Sequence, residues 1–95
     1  MHITFVKKIQ ANGTPCRKCQ EVETWLKQGG WWTRVDAVAA IDERDPAGEG
    51  ARLALAHGVR AAPFFVVRTT DEVRVYTVFL QFVDEILKPG GAEHL

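Results

Sequence analysis

Cysteine is scarce in this chain, which carries only two, Cys16 and Cys19. A disulfide between residues so close would close a tiny loop and contribute little to stability through chain entropy. In a reducing compartment such a pair is catalytic or metal-binding more often than structural. Net charge is also missing, since 12 basic residues balance 12 acidic ones. Without a basic excess, nucleic acid is not the expected partner. No apolar run approaches the roughly 20 residues that a bilayer crossing needs, so no membrane partner is expected either. Met1-His2-Ile3-Thr4-Phe5 lacks the charged-then-apolar layout of a secretory signal, and a cytoplasmic protein is the expectation. There is no internal repeat, no low-complexity tract, and no linker before Lys88-Pro89-Gly90-Gly91. What is present, 46% apolar and 25% charged residues in 95, suits one globular domain with a single core, spanning 1–88 and followed by a flexible tail over 89–95.

Periodicity outlines the elements. Ile3 and Phe5 alternate with polar neighbours in a first strand. Asn12-Gly13 and Thr14-Pro15 then mark a loop over 10–15. From Cys16 the spacing becomes helical, with Cys19, Val22, Trp25 and Leu26 on one face until Gly29-Gly30 stops it. A second strand is expected over Thr33–Ile41. Asp45-Pro46 resembles a helix opening, with Asp as N-cap and Pro at the first helical position, and that helix should end at His57-Gly58. Pro63 precedes a third strand, Phe64–Val67, and a turn leads into a fourth, Val73–Val78. Phe79, Val83, Ile86 and Leu87 place an apolar stripe on a last helix. The order βαβαββα implies a parallel pair joined by a helix, an antiparallel closing hairpin, and a mixed four-stranded sheet with three flanking helices.

Disulfide exchange needs an attacking thiolate and a second thiol to resolve the mixed disulfide. Two intervening residues, Arg17 and Lys18, put both sulfurs within reach at the first turn of a helix. There the unpaired N–H groups and the dipole favour an anion. Cys16, at the helix end, is the expected exposed nucleophile; Cys19, one turn in on the apolar stripe, is the expected buried resolving thiol. Arg17 and Lys18 have two readings, as charges that favour the thiolate or as simply solvated ones, worth ~0.3–1 kcal/mol at a helix end. A closed tetrahedral zinc site wants four ligands. His2, His57 and His94 show no finger-like spacing from the cysteines, so no metal ligands are assigned. Trp31 and Trp32 follow the Gly-Gly turn, and core packing is expected for at least one of them. His57 reads as a helix-end residue, and Asp42-Glu43-Arg44-Asp45 as a solvated loop and cap.

The stretch Leu55-Ala56-His57-Gly58-Val59-Arg60-Ala61-Ala62-Pro63-Phe64-Phe65-Val66 resembles the segment in thioredoxins and glutaredoxins that leads into their cis-proline and third core strand. With the dithiol near the start, the likeness extends from Ile3 to Leu87. It implies a thioredoxin-like α/β fold, a cis peptide before Pro63 facing the dithiol, and docking of an extended substrate along Ala62 and Pro63. Pro15, Arg17 and Lys18 flank the reacting sulfurs and would contact substrate too. The motifs match neither subfamily. Pro15-Cys16-Arg17-Lys18-Cys19 replaces both Trp-Cys-Gly-Pro-Cys and Cys-Pro-Tyr-Cys, and no Asp or Glu precedes Glu21. Ala61-Ala62 stands before Pro63, and Thr77-Val78-Phe79-Leu80 stands where glutaredoxins carry a Gly-Gly-Asp-like turn.

The resulting expectation is a monomeric thiol–disulfide oxidoreductase that needs no cofactor. It would act on disulfides in proteins or small molecules and be reset by an external thiol reductant or reductase. The rival is a binding module of the same fold that holds a metal or iron–sulfur cluster on Cys16 and Cys19, in one form across a dimer.

Overall fold

Four apolar segments pair into one mixed sheet in the computed structural model, which describes residues 1–88. The expected tail, 89–95, lies outside the described residues. Strand β1 (His2–Ile9) is followed by helix α1 (Arg17–Gln28), β2 (Ala37–Asp42), helix α2 (Glu49–His57), β3 (Phe64–Arg68) and β4 (Val73–Tyr76). A short helix α3 (Phe79–Phe82) then passes directly into a π-helical segment, Val83–Leu87. The strand order is β2-β1-β3-β4. β1 runs parallel to β2 and antiparallel to β3, and β3 runs antiparallel to β4. The expected mixed four-stranded sheet and three helical segments are therefore present.

β1 is central, so both of its faces are covered. Ile3 and Phe5 face one side with Phe65, Val67 and Tyr76, under Val22 and Leu26 of α1 and Phe82, Val83 and Leu87 of the C-terminal segment. Val6 faces the other side with Phe64, Val66 and Ala39, where Leu53 and Ala54 of α2 pack. The pleat thus sends adjacent Phe64 and Phe65 into different cores.

The structure moves several boundaries. The expected second strand begins at Ala37 rather than Thr33. Trp32–Arg34 forms a 3-10 turn instead, because Trp31, Trp32 and Val35 fold back onto the α1-side core. Pairing to β1 starts only where Thr4 meets Ala37. Asp45-Pro46 makes a turn rather than opening α2: the Gly48 N–H donates to the Asp45 carbonyl at 3.1 Å, and Gly48 is the N-cap. β4 stops at Tyr76 rather than Val78, since Val78 caps α3 and its carbonyl accepts from the Phe82 N–H at 3.1 Å.

Gly50 explains why α2 starts where it does. This buried glycine lies against the backbone of Ala40 and Ile41, and a Cβ there would overlap the Ala40 carbonyl. Alanine is the better helix former, yet Gly50→Ala is expected to destabilise by about 1–3 kcal/mol or more, because backbone cannot move aside as a side chain can. Urea unfolding would measure this; an unchanged midpoint would show that α2 is not seated on β2 this closely.

Candidate functional site

The head of α1 is assembled from backbone. Cys16 is the N-cap residue, with extended φ and ψ of −63° and 152°, and its Sγ accepts the Cys19 N–H at 3.1 Å. This is the bond that a capping hydroxyl ordinarily makes, here turned onto a sulfur. The two cysteines are joined by a disulfide, with Cα atoms 5.1 Å apart. Lys8, on β1, contacts both through its main chain. Its N–H donates to Cys19 Sγ at 3.3 Å, and its carbonyl accepts the Cys16 N–H at 2.9 Å. The loop between them is closed by the Gln10 N–H bonded to the Thr14 carbonyl at 2.8 Å and by Asn12 Oδ1 accepting from Thr14. Gly13 supplies the positive φ of 87° that this turn requires.

Cys19 is buried, at 1% exposure. Cys16 is half-buried rather than fully exposed. Arg17 and Lys18 are both exposed. Arg17 reaches Glu21 at 3.7 Å, and the Lys18 ammonium lies 5.2 Å from the centre of the Trp25 ring. The hydrogen bonds to the sulfurs come from backbone N–H groups, those of Cys19 and Lys8.

The other expected site residues gather around this helix end in separate depressions. The Ala62–Pro63 peptide is cis, and both residues line a cavity of about 90 Å³ together with Lys18, Val22 and Phe79. A wider cleft of about 380 Å³ adjoins it, walled by Lys18, Trp25, Val78, Phe79 and Leu80. Cys16 opens instead on a cavity of about 410 Å³ lined by Lys8, Gln10, Ala11, Asn12 and Glu43. Pro15 borders a further one beside Lys7 and Glu23. Lys18, Ala62 and Pro63 thus line one cavity, and Cys16 and Pro15 line two others.

Lys8, and Glu43 from the run expected to be only a solvated loop and cap, join Cys16 in lining its cavity. Glu43 accepts the Ala11 N–H at 2.8 Å and pairs with the Lys8 ammonium at 3.1 Å. The Lys8 hydrogen bond, followed by that from Ala11, holds its carboxyl below the usual range. Next to it, a two-point contact with Arg44 holds Asp42 at about 2. The available signal was the parallel pairing of β1 and β2, which sets Ile9 beside Asp42 and so carries Glu43 to the loop before the dithiol. Among the described residues, no group of three or more His, Cys, Asp and Glu side chains is placed to hold a metal ion. No helix among them is long and apolar enough to cross a membrane.

Sheet order, strand directions and a Cys-Arg-Lys-Cys pair at the head of α1 agree on one architecture. The fold is thioredoxin-like. No family model and no curated protein matches the chain. Among solved structures, a thioredoxin from Thermus thermophilus, determined in solution, is 22% identical over 99% of this chain and 80% of its own, with a TM-score of 0.49.

Proposed function

We propose that this thioredoxin-like protein is a thiol–disulfide oxidoreductase working through Cys16 and Cys19. The observation that carries the reading is the paired sulfurs at the N-terminus of α1, with the Cys19 N–H bonded to Cys16 Sγ. In the reduced protein that N–H and the helix dipole stabilise negative charge on Cys16. The Cys16 thiolate attacks one sulfur of a substrate disulfide, forms a mixed disulfide, and expels the other substrate sulfur as a thiolate. Cys19 loses its proton and attacks Cys16 Sγ. This releases the second substrate thiol and leaves Cys16 and Cys19 oxidised by two electrons. The Lys8 N–H, directed at Cys19 Sγ, supports the developing charge on the resolving sulfur.

The substrate is a protein or small-molecule disulfide. Its chain is taken along Ala62 and Pro63 beside Lys18, while Pro15 and Arg17 border the attacking sulfur. An external thiol reductant or reductase resets the pair, and the chemistry asks for no cofactor beyond the two sulfurs. The protein acts as a monomer in the cytoplasm.

A redox titration in defined thiol–disulfide buffers, with free thiols counted by alkylation and mass, tests this. The expected result is one reversible two-electron couple for Cys16 and Cys19 together. Thiols that stay masked until a chelator strips a metal would replace this reading with a metal- or cluster-binding module.

A further inference from the structure

The cavity beside Cys16 differs in character from the cleft along Pro63. Of its lining residues, Lys8 and Glu43 are the charged ones, and they are paired with each other at 3.1 Å. Lys8 is already fixed by its backbone to both cysteines. Its side chain therefore leaves from a point tied directly to the dithiol. Glu43 fixes the other end of that side chain, and its bond to the Ala11 N–H anchors it to the loop that lines the cavity with Cys16. We propose that Lys8 and Glu43 are an opposed pair of charge-tuning residues that set the thiolate fraction of Cys16, the ammonium raising it and the carboxylate holding that effect in check.

This rests on the oxidoreductase reading for its purpose, though not for its measurement. Other charges near Cys16 come from its own helix: Arg17, paired with Glu21, and Lys18, over Trp25. The Ala61–Pro63 segment brings none. Around Glu43 the further charges are Asp42 and Arg44, which are committed to each other at 2.9 Å. Lys8 and Glu43 are each partly exposed, with side chains 43% and 39% accessible, so their influence on Cys16 is moderate and screened by salt. Neither residue touches substrate sulfur, and both are positioning residues.

The test is the pH dependence of Cys16 alkylation in reduced full-length protein, with the adduct assigned by mass. Glu43→Gln keeps an acceptor for the Ala11 N–H but leaves the Lys8 cation uncompensated. At a pH below the midpoint it is expected to raise the Cys16 thiolate fraction roughly two- to fivefold. Lys8→Met keeps the stem and removes the cation, and should lower the fraction by a similar factor. The double variant should return close to the parent profile. At about 1 M salt, where screening reaches within ~3 Å, the differences should shrink. Superimposable profiles would overturn the proposal. So would single variants that shift the same way, which would mean a loosened loop rather than charge. Failure of the parent reading looks different: Cys16 would still titrate and respond to these variants, but the unmodified protein would not reduce a disulfide.

Discussion

Cys16→Ser is expected to bring disulfide reduction down to background, a loss of roughly 10³-fold or more, because a serine hydroxyl does not ionise to a useful nucleophile near neutral pH. The substitution suits the backbone. Serine is among the preferred N-cap residues, and its Oγ can accept the Cys19 N–H that Cys16 Sγ now accepts. The small loop closed by the lost disulfide holds little entropy, so the variant should fold and melt close to the parent. Cys19→Ser should behave differently. Cys16 would still attack, but nothing would resolve the product, and the protein would accumulate as a mixed disulfide visible by intact mass. At 1% exposure a hydroxyl at position 19 sits in an apolar surround, although the Lys8 N–H that now reaches Cys19 Sγ remains able to donate to it. Turnover of a chromogenic disulfide, with intact mass of the quenched reaction, separates the two outcomes. Retained turnover in Cys16→Ser would remove Cys16 from the nucleophile's role. A trapped adduct on Cys19 in that variant would reverse the two assignments.

Local chemistry made the dithiol legible in the sequence. Cys16 follows a turn and a proline, Cys19 shares a helical stripe with Val22 and Leu26, and the structure places them as N-cap and buried residue of α1. The sheet was legible for the same reason, since strand alternation needs only neighbours in sequence. Misplaced boundaries occur where a distant contact overrides local preference. Thr33–Val35 has strand-like composition but no partner in the β1–β2 register, while the adjacent tryptophans have a core to join. Asp45-Pro46 has the chemistry of a helix start, but the approach of Gly50 to β2 fixes where the helix can begin. Glu43 was hidden for a related reason. Within Asp42-Glu43-Arg44-Asp45 it is one more surface acid, and only the parallel pairing of two strands, with a helix between them in sequence, brings it to Lys8. The departure of Arg17 and Lys18 toward Glu21 and Trp25 is likewise a matter of side-chain direction along a helix, which spacing alone leaves open.

Phe82→Ala should cost about 3–5 kcal/mol, the largest stability loss expected of a single core truncation here. Phe82 is fully buried, its ring stacked on Phe65 with centroids 3.9 Å apart and 5.7 Å from Tyr76. Phe65 leans in turn on Phe5 at 5.2 Å, so one ring joins the C-terminal segment to β1, β3 and β4. It also stands where α3 gives way to the π-helical turn, whose Val83 and Leu87 are seated in the same core. Set against a typical total of ~5–15 kcal/mol, the loss is a large fraction, equivalent to a fall of roughly 12 °C or more in Tm for a domain of this size. Leu80→Ala, at 71% exposure, is the control and should stay within ~0.5 kcal/mol. A Phe82→Ala loss below about 1 kcal/mol would mean that the aromatic stack is not what holds the last segment to the sheet. Below its own midpoint the variant should nonetheless keep the thiol chemistry of Cys16. The dithiol hangs from β1 and α1 by the Lys8 and Cys19 backbone bonds, none of which passes through Phe82.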